Sequence, residues 1–106
     1  MTIETDPGDV PIYSVWNTFT AALAAKDTSA ALAQMSKEGQ FNYAPLLADI
    51  VDDLPAAVST FSPLYRIDFS DNYSEYGLWR MVDGVRRVFI VTFIRNDAGT
   101  WQIASM

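Results

Sequence analysis

The run Val85-Arg86-Arg87-Val88-Phe89-Ile90-Val91-Thr92-Phe93-Ile94-Arg95 carries apolar side chains at both odd and even positions. A strand in a half-solvated antiparallel sheet alternates apolar and polar residues. This run does not, so both faces of its sheet need cover. Asp83-Gly84, just before it, is a strong two-residue hairpin signal, and Asn96-Asp97-Ala98-Gly99, just after it, is a turn. Residues 73–82, 85–95 and 100–106 therefore read as a three-strand antiparallel meander. A fourth strand over residues 64–70 precedes it, joined through Asp71-Asn72.

Upstream of these strands the periodicity is helical. Asp9 can cap a first helix with Pro11 in its opening turn, where a missing N–H costs nothing. Ile12, Val15, Trp16, Phe19, Ala22 and Leu23 make one apolar stripe, and the helix should run to about Ala25. Asp27 or Thr28 caps a short second helix with Leu32 and Met35 inward and Gly39 as its stop. Pro45 can open a third, carrying Leu46, Leu47, Ile50, Val51 and Leu54. Pro55 interrupts it, and Asp52 or Asp53 can cap a following turn with Ala57, Val58 and Phe61. The reading is α+β: N-terminal helices on a curved four-stranded antiparallel meander sheet, one domain over residues 10–106 behind a flexible lead of residues 1–9.

A two-residue loop at Asp83-Gly84 fixes the hairpin register. Val82 then faces Val85, Arg80 faces Arg87, Leu78 faces Phe89 and Tyr76 faces Val91, on the richer apolar face, which is assigned to the helices. Phe93, Tyr65, Ile67, Phe69 and Met106 are expected to join it. The opposite face would carry Trp79, Met81, Arg86, Val88, Ile90, Thr92, Ile94, Trp101 and Ile103, with Arg66, Asp68 and Glu75 towards one edge. An apolar patch with a charged margin on a small domain marks an interface. A homodimer packed through Trp79, Met81, Val88, Ile90, Ile94, Trp101 and Ile103 is the expectation; the alternative is that the N-terminal lead folds across them.

Composition excludes several chemistries. The chain has no Cys and no His, which removes thiol nucleophiles, disulfides and zinc–thiolate sites, along with the commonest neutral-pH general base. Residues 1–63 hold eight acids and two Lys, while residues 64–106 hold five acids and five Arg. An acidic chain without a basic stretch argues against nucleic acid and anionic membrane surfaces as partners. The N-terminus lacks a basic region followed by an apolar stretch, so a cytoplasmic protein is the default and a trimmed export signal the alternative. Asp49, Asp52 and Asp53 read as a solvated helix face, and no metal or cofactor is expected.

The closing segment Phe-Ile-Val-Thr-Phe-Ile-Arg-Asn-Asp-Ala-Gly-Thr-Trp-Gln-Ile-Ala-Ser-Met (89–106) resembles the final hairpin of the nuclear transport factor 2-like superfamily. Residues 19–35, with Ala-Ala-Lys-Asp-Thr-Ser-Ala-Ala-Leu (24–32), resemble its first two helices, and the resemblance spans most of residues 10–106. Within it the chain looks most like small bacterial members of uncharacterised function. The resemblance implies an α+β cone with a pocket, often dimeric through the sheet. The superfamily includes isomerases, dehydratases, epoxide hydrolases, immunity proteins and non-catalytic association domains, so fold does not choose function.

Three functional readings follow. The first is a non-catalytic module that binds a small molecule or a protein partner. Its candidate ligand-binding residues are Arg80, Arg87, Tyr76 and Tyr65, because two arginines directly across a hairpin need an anion. Asp49, Asp52 or Asp53 could instead supply that counter-charge. The second is a small isomerase or hydrolase using Asp and Tyr in the cone, with Asp68, Tyr13 and Tyr43 to be weighed beside Tyr65 and Tyr76. The Arg66-x-Asp68 pair resembles one found in epoxide hydrolases of the superfamily, but it reads as a surface ion pair on one strand face. The third is an immunity or regulatory protein whose acidic helices meet a basic partner.

Overall fold

A computed structural model describes residues 9–106. The flexible lead expected over residues 1–9 lies outside the described residues except for Asp9, which is buried. Helices α1 (Val10–Ala24), α2 (Thr28–Leu32) and α3 (Lys37–Asp49) are followed by a 3₁₀ turn at Val51–Asp53 and by α4 (Leu54–Val58). Strands β1 (Tyr65–Phe69), β2 (Tyr73–Val82), β3 (Val85–Arg95) and β4 (Trp101–Ser105) form one antiparallel meander in that order. The α+β architecture is therefore the one expected.

The apolar stripe of α1 buries Ile12, Trp16, Phe19, Ala22 and Leu23 against the sheet. That helix ends with the Lys26 N–H donating to the Leu23 carbonyl and the Asp27 N–H to the Ala22 carbonyl, with Lys26 at φ 59°. Asp27 caps α2 by accepting the Ala30 N–H at 3.0 Å. Two helix boundaries depart from expectation. Gly39 does not stop α2; it lies in the first turn of α3, which Ser36 caps through the Gly39 N–H at 3.1 Å. Pro45 does not open a helix either, but sits inside α3. Its ring denies the Phe41 carbonyl a donor, which the exposed side of this helix tolerates.

A glycine is required at position 39 because α3 runs close to β4. A Cβ there would lie 3.1 Å from the Ile103 carbonyl oxygen and 3.2 Å from that of Ala104. The chain before α3 also covers the β4 edge. Met35 bridges to Ile103, the Ser36 N–H donates to the Ile103 carbonyl, and the Ile103 N–H donates to the Gln34 carbonyl. These bonds satisfy the outward backbone groups of Ile103, in the middle of the edge strand.

The β2–β3 register matches the two-residue loop, with Arg80 opposite Arg87, Leu78 opposite Phe89 and Tyr76 opposite Val91. Two β-bulges then change which residues face inward. In β4, Ser105 pairs with Thr92 but Ile103 pairs with Phe93, leaving Ala104 as the extra residue. Strict alternation would put Ile103 and Met106 on opposite faces; the bulge puts both inside. Trp101 and Ile103, expected at a dimer interface, pair opposite Arg95 and Phe93 on the inner face and are core residues, 8% and 0% exposed. In β1, Arg66 pairs with Tyr76 and Asp68 with Glu75, leaving Ile67 as the extra residue. Arg66 and Phe69 turn inward, with the Arg66 guanidinium 4.6 Å from the Phe69 ring centroid. Tyr65, expected inside, lies instead over Gly77 on the outer face.

Trp79, Met81, Val88, Ile90 and Ile94 keep the outer face predicted for them. The helices cover only the base of the β2–β3 hairpin: residues 85–90 are exposed on both faces, and burial begins at Val91. No described helix is long and apolar enough to cross a membrane.

Substituting Gly39→Val should destabilise the protein by about 1–3 kcal/mol, because two backbone carbonyls must give way. Urea denaturation checks this, and an unchanged midpoint would contradict the close α3–β4 approach.

Candidate functional site

A cleft of about 280 Å³ opens between the helices and the inner face of the hairpin. Trp16 from α1, Tyr43 and Leu46 from α3, and Phe61 from the segment after α4 form one side. Leu78 and Arg80 from β2, Phe89 and Val91 from β3, and Met106 form the other. Each wall is held by its own contacts. The Tyr43 hydroxyl donates to the Met106 carbonyl at 2.9 Å and accepts the Met106 N–H at 3.0 Å, tying α3 to the end of the sheet. Ser62 donates its N–H to the Trp79 carbonyl and accepts the Trp79 N–H at its Oγ, at 2.8 Å. That exchange sets Phe61 against Trp16, with ring centroids 6.1 Å apart and nearly parallel.

Among the described residues, Arg80 is the only one that lines the cleft with a charged side chain. Its guanidinium stands 5.9 Å from the Phe61 ring centroid, at the outer limit of a cation–π contact. Its Nε is buried and has no hydrogen-bond partner among the described residues. Buried donors are nearly always paired, so an orphan calls for an explanation. The acids that could have neutralised it lie elsewhere: Asp52 pairs with Lys26 at 3.3 Å on the exposed helical surface.

A second polar locus joins the start of α1 to β1 and β2. Asp9 occupies the N-cap position but makes no capping bond. Its Oδ1 instead accepts from Arg66 Nε at 3.0 Å, from Arg66 Nη2 at 2.8 Å, and from the Tyr76 hydroxyl. Tyr13 packs edge-on against Tyr76 with centroids 6.1 Å apart, and its hydroxyl donates to the Leu64 carbonyl at 3.3 Å. Burial, reinforced by the bond to the Asp9 carboxylate, pushes the Tyr76 phenol well above its ordinary value, with Arg66 opposing. Burial and the Asp9 charge push Tyr13 up as well, again with Arg66 opposing. This cluster holds the helix to the sheet. Its carboxylate is already engaged and Tyr76 is fully buried.

The four candidate ligand residues thus do not converge. Arg80 enters the cleft, and Arg87 sits across from it on exposed strand. Tyr76 belongs to the Asp9 cluster and Tyr65 to the outer face. Arg66 and Asp68 do not share a face: the bulge at Ile67 sends Arg66 inward to Asp9, while Asp68 accepts the Phe69 N–H. Among the described residues no group of three or more acidic side chains gathers that could hold a metal ion. The helical side of the cleft, Tyr43, Leu46 and Phe61, was not singled out as a site from sequence, because an apolar residue on a helix looks the same whether it fills a core or lines a cavity.

Neither a described protein family nor a curated protein matches the sequence. Among solved structures, one from Shewanella frigidimarina NCIMB 400, of a protein provisionally described as a ketosteroid isomerase, superposes with a TM-score of 0.52. The match covers 92% of this chain and 94% of that one at 13% sequence identity. The likeness is one of fold, and the fold is the nuclear transport factor 2-like α+β cone.

Replacing Tyr76→Phe removes one donor from the buried Asp9 carboxylate and should cost about 1–3 kcal/mol. The pH dependence has a definite sign. Unfolded tyrosine releases its proton near pH 10, whereas folded Tyr76 and Tyr13 hold theirs to higher pH. Above pH 10 the unfolded chain binds fewer protons, so stability that is fully present below pH 10 falls as the pH rises. Denaturation from pH 8 to 11 should show this decline, shallower in Tyr76→Phe; equal slopes would contradict it.

Proposed function

We propose that this protein is a non-catalytic binding and association module, taking a small molecule with a largely apolar body into the Arg80 cleft and pairing with a second copy through the outer sheet face. The observation that carries the reading is the cleft itself. It is lined by aromatic and aliphatic side chains around Arg80, and the Asp9–Tyr76 pair is engaged in a structural cluster instead. A binding cavity of this kind is concave and apolar with few polar groups.

The association half rests on the exposed hairpin. Met81, Val88 and Ile90 are 50%, 56% and 42% exposed on the outer face, beside Trp79, over which Arg86 stacks at 4.3 Å. Isologous packing of two such faces would cover them. Trp101 and Ile103 take no part, since both are core residues. A second reading, a small isomerase, has in its favour the Asp9–Tyr76 pair and the fold likeness to a described ketosteroid isomerase. Turnover of a ketosteroid that is lost in Asp9→Asn would favour it over the binding module.

The neutral fluorophore N-phenyl-1-naphthylamine tests the cleft: saturable one-to-one enhancement is expected, and none at protein concentrations up to the high micromolar range would contradict the reading. Light scattering after size exclusion tests the dimer. Twice the chain mass is expected for the native protein at micromolar concentration and a single chain mass for Val88→Glu, a change at an exposed position that leaves the core untouched. A native monomer would remove the association half.

A further inference from the structure

We infer that the ligand of the cleft is an aromatic monocarboxylate, a flat apolar body whose single carboxylate is held by Arg80. This rests on the cleft being a binding site, and it adds the chemical class of what enters. The buried Arg80 Nε lacks a hydrogen-bond partner among the described residues. It faces Arg87 directly across the hairpin, where like charges repel unless an anion lies between or beside them. The ion pairs among the described side chains are Lys26 with Asp52 and Arg66 with Asp9, and neither involves Arg80. Among the described residues the cleft thus presents a guanidinium with no carboxylate paired to it.

The rest of the lining narrows the class. Tyr43 spends its hydroxyl on the Met106 backbone, both donating and accepting, so it has no donor left for a ligand. The Arg80 guanidinium is then the cationic anchor among the described lining residues, and a fork matches one planar carboxylate through two parallel N–H···O bonds. A phosphate group, with more oxygens and more charge, would leave acceptors unsatisfied against apolar walls. Trp16, Phe61 and Phe89 offer ring faces and edges to a flat body. A volume of about 280 Å³ lies at the small end for ligand cavities, which suits one or two fused rings.

A matched pair of probes tests this, 2-naphthoate and 2-naphthamide, titrated by calorimetry into the full chain and its Arg80→Gln and Arg87→Gln variants. The native protein should bind the acid roughly ten- to hundred-fold more tightly than the amide, the range expected for a charged hydrogen-bonded pair. Arg80→Gln should erase that preference while leaving amide binding unchanged, and Arg87→Gln should weaken acid binding only a few-fold. Equal binding of acid and amide to the native protein would overturn the anion assignment and leave the cleft standing as a binding site. Binding of neither would overturn both. Loss of amide as well as acid in a folded Arg80→Gln protein would make Arg80 a support of the cavity wall and overturn its role as the anion anchor.

Discussion

The geometry of the hairpin turn governs the molecule. Asp83 and Gly84 both hold positive φ, 51° and 79°, the combination of a type I′ turn whose twist matches that of the flanking strands. That turn locks ten cross-strand pairs from Val82–Val85 to Tyr73–Ile94 without a slip. One residue of slippage would exchange the two faces along the whole ribbon. Tyr76, Leu78, Val91 and Phe93 would leave the core, and Arg80 would leave the cleft. The packing of α1, the aromatic contacts of Tyr76 and Trp16 with Phe93, and the position of the lone cleft cation all depend on that register.

Two arginines of the inner face, Arg66 and Arg80, show how the same side chain is used in opposite ways. Arg66 reaches a carboxylate that α1 carries to it, and the Asp9–Arg66–Tyr76 cluster fastens helix to sheet where both would otherwise expose polar groups to the core. A buried charge with hydrogen-bonded partners is tolerable, whereas removing one partner is costly. Arg80 stands further along the same face of the sheet with no such partner, beside a cavity of small-molecule size. The fold thus satisfies its structural cation and leaves the other for something outside the chain.

Much of this was legible in the sequence. Asp83-Gly84 announced the turn, the Ile12–Leu23 stripe announced the first helix, and the register placed Arg80 against Arg87. What escaped was local irregularity. The bulge at Ile67 reverses the facing of Tyr65 and Arg66, that at Ala104 lets Met106 share a face with Trp101 and Ile103, and neither position carries a glycine that would betray one. The Ile67 bulge hid the Arg66–Asp9 pair, since the two are 57 residues apart and alternation put Arg66 outside. Regular pairing from the β3–β4 turn puts Trp101 and Ile103 opposite Arg95 and Phe93 on the inner face, and the Ala104 bulge brings Met106 to that face as well. Asp9 looked like a helix cap because Asp before a proline-led helix usually is one; only the arrival of Arg66 and Tyr76 shows where its carboxylate goes. Gly39 read as a stop signal, yet its smallness serves the approach of α3 to β4.

The central claim is that one arginine in the cleft awaits an anion. Its Nε–H can be watched directly by proton–nitrogen correlation spectroscopy, which gives one side-chain resonance for each of the five arginines in the chain. With the Arg80 signal assigned through Arg80→Gln, adding 2-naphthoate should move that resonance far more than the other four, in the direction of a stronger hydrogen bond. An Arg80 signal that stays in place while the protein saturates with the acid, or one that moves no more than the exposed arginines do, would contradict the claim.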